Sequence, residues 1–357
     1  MISGRLNGAA AQAVLEAGVS ARAFPGAVAE AGTSDGPLWA GAAGHLTYEP
    51  EAPRATASTI YDLASLTKVI ATTSLAMRMA AGARLPLDMR AARFMPAWPA
   101  GPYADVTVRD LLEHASGLPA WLPLFQSCKG RDEYREAIAA VAPAYPPRTQ
   151  SIYSDLGFIV LGLIIESIAQ APVDGLFEAF REQASLPETL AYRAGVAQAF
   201  RPANIAPTEF DPWRGRLPAG EVHDENAFAL GGGVAPHAGL FGTASDVGAF
   251  GRLVLRTFHA ETALGTPEWM RLFSSRSTVP GSSRALGWDT MLPASSCGPR
   301  MSADAIGHTG FTGTSLWIDH ARDLYFVLLT NRVHPTRENN QIREVRRQFH
   351  SALLAQA

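Results

Sequence analysis

Hydrophobic and polar positions change period twice along this chain. Residues 6–17 space apolar side chains as on an amphipathic helix. Residues 24–31 (FPGAVAEA) and 38–47 (LWAGAAGHLT) read as two strands, joined by a Gly- and Ser-containing turn over 32–37. An extended lead at 59–63 runs into a long apolar helix predicted from 65 to 80, with Gly82 ending it. From about 85 to 245 proline is frequent and the patterns are mainly helical, with helices predicted over 106–114, 132–141 and 155–169. Thr107 caps the first of these and Asp110 sits in its first turn. A glycine-dense loop around Gly231, Gly232, Gly233, Gly239 and Gly242 leads into a helix over 245–257. The β pattern returns at 286–292, 307–309, 314–319 and 324–331, and an amphipathic helix over 337–354 closes the chain.

Strands and helices at both ends therefore flank a mostly helical insert. This predicts a mixed α/β (α+β) protein: a sheet-and-helix domain built from residues 1–80 and 245–357, completed by a helical domain over 81–244. Composition changes little in this picture. The 357 residues are 47% hydrophobic and 18% charged, as in a globular chain of one large domain or two. A net charge of −3 without a basic stripe argues against nucleic acid as a partner. Cys128 and Cys297 are too few for a disulfide framework or a zinc site and read as buried free thiols. The first residues lack the apolar core of a signal peptide, and the longest apolar run, 158–169, is too short to span a bilayer. The expectation is a cytoplasmic protein with no membrane partner, or a periplasmic one if an export signal has been removed.

Charge chemistry singles out one tetrapeptide. All but two of the 30 basic residues are arginine; the lysines are Lys68 and Lys129. Arginine cannot replace lysine where an amine must lose its proton. Lys68 closes Ser65-Leu66-Thr67-Lys68 at the predicted helix start, and positions three apart share a helix face. Ser65 then reads as a nucleophile and Lys68 as its base, the helix N-terminus favouring an alkoxide and a neutral amine. A capping serine beside a solvated lysine is the plainer alternative. Tyr153-Ser154-Asp155 precedes a helix, and a tyrosine near a lysine ammonium loses its proton more readily. His308-Thr309-Gly310 borders a strand, and Gly307, Gly310 and Gly313 would let a ligand approach the backbone.

In this order the motifs resemble those of the serine β-lactamase and penicillin-binding-protein superfamily, in particular its class C-like branch with related esterases and peptidases. The segments VTVRDLLEHASGLP (106–119) and HAGLFGTASD (237–246) resemble further signatures of that family. The resemblance covers residues 20–335 and implies a β-lactamase/transpeptidase-like fold: an antiparallel sheet flanked by helices, with the active site between sheet and helical domains. It implies that Ser65 is acylated, that Lys68 and Tyr153 share the base role, and that the N–H groups of Ser65 and Phe311 form an oxyanion hole. Substrate-binding positions would be Asp155, His308, Thr309, Gly310 and Phe311, with no metal and no cofactor.

Two departures redirect the substrate expectation. His308 stands where β-lactamases usually carry lysine, and histidine is mostly neutral at pH 7. Asp155 stands where many carry asparagine; a carboxylate cannot donate a hydrogen bond and would keep Lys68 charged, shifting the base role toward Tyr153. The expected substrate is therefore a small ester or amide rather than a β-lactam. The alternative is a D-amino-acid peptidase or carboxypeptidase, with His308 as a cation at low pH, or a weak β-lactamase, acting on peptidoglycan-type substrates, and a non-catalytic scaffold is a third. The polar segment 220–226 reads as a cleft wall, with His223 and Asp224 as candidate substrate-binding residues, or else as a solvated loop. His114 and His237 read as structural. The oligomeric state is not legible.

Overall fold

The computed structural model describes residues 6–192 and 204–355. Helix α1 (Gly8–Ser20) starts where the Asn7 side chain accepts the Ala10 N–H at 3.0 Å, and leads into β1 (Gly26–Gly32) and β2 (Pro37–Gly44). The short strand β3 (Tyr61–Asp62) precedes a π-helical stretch, Lys68–Thr73, that continues into α2 (Ser74–Ala81). Helices α3 (Val108–Leu112), α4 (Gly130–Ala139), α5 (Asp155–Ala169) and α6 (Val173–Gln183) follow, then β4 (Ala191–Tyr192), α7 (Glu225–Gly231) and β5 (Leu240–Gly242). The chain ends through α8 (Ala244–Thr257), α9 (Pro267–Ser274), β6 (Asp289–Thr290), β7 (Ile306–Thr309), β8 (Ser315–Asp319), β9 (Leu324–Thr330) and α10 (Ile342–Leu353).

Both ends of the chain build one antiparallel sheet, in the order β2-β1-β9-β8-β7-β6. Its central strands are buried on both faces, and their side chains alternate between two cores. Tyr325, Val327 and Leu329 of β9 point into a large cluster that continues through Ile70 and Leu75 to Phe158 and Ile164. Phe326 and Leu328 point the other way, onto α1 and α10 through Leu15, Ile342 and Phe349. The sheet therefore carries the helix after Ser65 on one face and the terminal helices on the other. A second sheet, β3-β5-β4, ties residues 61–62 to 191–192 and 240–242. Among the described residues no single helix is long and apolar enough to cross a membrane.

Several boundaries differ from the sequence reading for local reasons. The helix expected over 65–80 widens into π geometry at Lys68–Thr73, a distortion found often at functional sites. The closing helix begins at Ile342, not 337, because Arg337 is held in a loop by Glu209 and Glu225. The strand expected over 286–292 shrinks to Asp289–Thr290 beside Gly287, whose φ is +82°. Cys297 is buried as expected; Cys128 is only half-buried. The division into residues 1–80 with 245–357 and 81–244 is kept as a proposal about organisation. Residues 193–203 within it lie outside the described residues.

Candidate active site

A strained turn presents Ser65. Ala64, just before it, has φ +47°, which costs an L-residue energy and must be held by its surroundings. Asp62 does much of the holding: its carboxylate accepts the Ala64 N–H at 2.8 Å and the His223 N–H at 2.6 Å. Burial pushes the Asp62 carboxyl up, partly offset by those two N–H bonds. The helix start is further pinned where Thr67 Oγ1 accepts the Leu240 N–H at 3.1 Å. Sequence reasoning passed over Asp62, whose only signal was an acid in an otherwise apolar lead.

Ser65 Oγ receives the Tyr153 hydroxyl at 2.8 Å and the Lys68 ammonium at 3.1 Å. The ammonium also donates to the His237 carbonyl at 2.9 Å and meets Asp155 Oδ1 at 2.6 Å. The ammonium thus has two hydrogen-bond acceptors and one carboxylate counter-charge. Tyr153 and Asp155 arrive together because Ser154 caps α5: its Oγ accepts the Gly157 N–H at 3.1 Å and donates to the Pro119 carbonyl at 2.7 Å. Asp155 then lies in the first turn, where the helix dipole favours negative charge.

Electrostatics favour the charged lysine expected from Asp155 over the neutral amine expected from the helix start. Burial alone would drag Lys68 down, but Asp155 and then Tyr153 outweigh it, and the amine is held above its ordinary value. Tyr153 is also raised, by burial first, with Lys68 pulling it down and Asp155 pushing it up. The resting pair is an ammonium and a phenol. Lys129, by contrast, is exposed.

His308 closes the cleft opposite Tyr153, with ring centroids 5.7 Å apart. Its Nδ1 lies 2.9 Å from the Thr309 carbonyl, which can only accept, so the proton sits on Nδ1. Burial first, then Arg284 and Lys68, hold His308 well below the usual histidine range. It is therefore neutral, and it cannot serve as the low-pH cation that the peptidase reading required. Gly310 is needed for protein packing and not for ligand approach. A Cβ there would meet the Leu63 carbonyl at 2.6 Å and Thr314, which joins the strand end to the Ser65 turn. Gly307 and Gly313 likewise abut Trp317 and Arg332. Thr309 and the half-exposed Phe311 line the same cleft. Among the described residues the Ser65 and Phe311 amides donate to no protein acceptor.

The 220–226 segment lies against the cleft and is not a solvated loop. His223 is buried, with Nε2 2.8 Å from Glu209 Oε1 and its ring stacked on Phe311 at 5.6 Å. Asp224 caps α7 through the Ala227 N–H at 2.7 Å and faces His237 Nε2 at 3.1 Å. Burial pushes Asp224 up, but His237 outweighs it and holds the carboxyl well below its usual range. Among the described residues no group of His, Cys, Asp and Glu could hold a metal ion.

The two histidines read as structural are in contact with the site. His237 accepts from Lys68, as above. His114, at φ +56°, accepts the Ser154 N–H on Nδ1 at 3.0 Å and packs between Tyr153 and Phe158 at 4.7 and 5.1 Å. The cleft of about 660 Å³ also takes in Trp121 and several arginines, Arg284 among them, that no motif flagged.

Comparison with known proteins places this geometry. Residues 11–350 match the β-lactamase family model. A putative D-alanyl-D-alanine carboxypeptidase of Escherichia coli K12 is 31% identical over 315 residues, 79% of this chain and 71% of that protein. An N-acetylmuramyl-L-alanine amidase of Bacillus subtilis 168 is 31% identical over 309 residues, 77% of this chain and 68% of its own. The solved structure of EstCE1, a hydrolase with promiscuous acyltransferase activity, shares the fold with a TM-score of 0.73 at 20% identity, covering 96% of this chain and 98% of that one. The chain belongs to the β-lactamase family, in the serine β-lactamase and penicillin-binding-protein superfamily, and is a serine hydrolase.

Proposed function

We propose that the cleft accepts a small ester or amide and that Ser65 takes its acyl group. The observation that carries this reading is the single hydroxyl, Ser65 Oγ, in contact with both Tyr153 and Lys68 at the floor of an open cleft. Once Tyr153 is ionised, Ser65 Oγ attacks the carbonyl carbon as its proton passes to the Tyr153 phenolate and on through the Tyr153–Lys68 pair to the leaving group. Water then releases the acyl group by the reverse route. The unengaged amides of Ser65 and Phe311 are the proposed oxyanion donors, each worth about 3–4 kcal/mol in the transition state. A fluorophosphonate is expected to add one equivalent, mapped to the peptide that carries Ser65. No adduct, or an adduct elsewhere, overturns the assignment.

Because Lys68 is held charged, Tyr153 is the group whose deprotonation gates attack. Asp155 raises both Lys68 and Tyr153. Asp155→Asn is therefore expected to move the rising alkaline limb of kcat/KM toward lower pH, read with a nitrophenyl ester across pH 6–10. A limb that stays in place or moves upward contradicts the assigned role of Tyr153.

A D-amino-acid peptidase or carboxypeptidase acting on peptidoglycan fragments is the second reading, supported by the names of the two curated relatives. No rise in activity at low pH through His308 is expected of it, since burial keeps that ring neutral. A non-catalytic scaffold would not need a buried lysine that hydrogen-bonds Ser65 and the 237 carbonyl and pairs with Asp155.

A further inference from the structure

Helix α10 buries an arginine, Arg346, against the back of the 310–314 turn. Burial first, then the cations Arg332 and Arg343, pull it below its ordinary value, and among the described residues no carboxylate offsets them. A buried guanidinium without a counter-charge is costly to keep. What it touches is the turn between β7 and β8: one terminal nitrogen donates to the Gly310 carbonyl at 2.7 Å and to the Thr314 carbonyl at 2.8 Å. Neither carbonyl needs it for satisfaction. The Gly310 carbonyl already accepts the Gly313 N–H at 3.1 Å, and the Thr314 carbonyl the Gly310 N–H at 2.8 Å.

The Gly310 carbonyl is one end of a peptide unit whose other end is the Phe311 N–H, a proposed oxyanion donor. That unit is planar, so a cation fixed on its oxygen fixes the direction of its N–H. The same bond draws electron density toward the oxygen and makes the N–H a stronger donor. Among the described residues the Phe311 N–H meets no protein acceptor, and Phe311 lines the cleft with Ser65. The turn is also tied to the strained turn at Ser65: Thr312 and Thr314 donate to the Asp62 and Leu63 carbonyls at 2.7 and 3.0 Å. The threonines thus set how far the peptide stands from Ser65, and the arginine sets its plane. We propose that Arg346 is a positioning residue, acting from behind the Gly310–Phe311 peptide to aim and strengthen the oxyanion donor. The assignment rests on the hydrolase reading of the cleft and adds a residue of α10 to it.

Arg346→Met, Arg346→Lys and Arg347→Met test this in the full chain. Methionine removes the charge, and both carbonyls keep their backbone donors, so Arg346→Met is expected to fold. Arg347, the next residue of α10, gives instead to the Pro293 and Ser295 carbonyls at 3.2 and 2.8 Å and controls for general disturbance of the helix. With a nitrophenyl ester, Arg346→Met should lose kcat on the order of a hundredfold, the cost of a misplacement of about 1 Å, with KM little changed. Arg346→Lys should lose less, and Arg347→Met should match wild type. The second readout is the carbonyl stretch of the acyl-enzyme, formed with an isotope-labelled ester and followed by difference infrared spectroscopy. Hydrogen bonds in an oxyanion hole lower that frequency, so it should rise in Arg346→Met, rise less in Arg346→Lys and stay in place in Arg347→Met. A loss in KM alone overturns the proposal, because it makes Arg346 a substrate contact. A kcat and a carbonyl band in Arg346→Met equal to those of Arg347→Met overturn it too, and leave the hydrolase reading intact. If wild type forms no acyl-enzyme at Ser65, the hydrolase reading falls and takes this role with it. Should Arg346→Met not fold, the band in Arg346→Lys against Arg347→Met decides: an upward shift supports the role, and no shift overturns it.

Discussion

Replacing Lys68 with methionine is expected to lower kcat/KM on the order of 10,000-fold, the upper range for loss of a positioned proton-transfer group. The ammonium touches Ser65 Oγ, the His237 carbonyl and Asp155 at 3.1, 2.9 and 2.6 Å, so one substitution removes three polar partners at once. It also withdraws the cation that pulls Tyr153 downward, leaving a phenol that ionises with greater difficulty. Stability should suffer as well. Asp155 would be left without its counter-charge, a loss of about 3 kcal/mol, the low end for breaking a buried pair because this carboxylate is 16% exposed. The two losses can be separated. Lys68→Met combined with Asp155→Asn should recover most of the melting temperature and none of the rate. Lys68→Arg should keep the charge but not the activity, since a guanidinium cannot relay a proton. Activity of Lys68→Met within tenfold of wild type would remove the lysine from the mechanism.

The parts of this site legible in the sequence were those whose chemistry is carried by residue type and short spacing. Ser65, Lys68 and Tyr153 belong to compact motifs, and the structure brings Lys68 and Tyr153 each within hydrogen-bond reach of Ser65. The scarcity of lysine pointed to Lys68, and Asp155 in place of asparagine pointed to its charged state. Fold class was legible for a similar reason. The strand pattern returns at the chain's end, and β1 and β9 pair through Ala27↔Thr330 to Gly32↔Tyr325, which joins the two termini in one sheet. What escaped was set by contacts distant in sequence. Asp62 matters through a hydrogen bond to His223, 161 positions away, and Arg284 through its place beside Tyr153. The neutral state of His308 depends on its burial and on Arg284 and Lys68 nearby, none of which spacing reveals. The glycines of the 307–313 stretch illustrate the same limit. Sequence shows that bulk is excluded, and only the packed structure shows that Trp317, Leu63 and Arg332 exclude it.

Tyr153→Phe isolates one oxygen atom. The ring contacts to His114 at 4.7 Å and to the Lys68 ammonium at 5.0 Å survive the change, so the variant should fold with a melting temperature close to that of wild type. Only the 2.8 Å bond from the hydroxyl to Ser65 Oγ is lost. With Lys68 held charged by Asp155, no second base is free to take the serine proton, and kcat/KM should fall on the order of a thousandfold. The shape of the pH profile is the more telling readout. Wild type should gain activity as pH rises, because Tyr153 is raised and must ionise to act. Tyr153→Phe should lose that limb and retain a rise only where Lys68 itself deprotonates, a point that Asp155 holds above the amine's ordinary value. Acylation rates measured by quenched labelling with an activated ester give the profile without interference from deacylation. If the variant keeps the wild-type limb at reduced height, Lys68 and not Tyr153 is the titrating base, and the charged-lysine state deduced from the 2.6 Å contact with Asp155 is wrong.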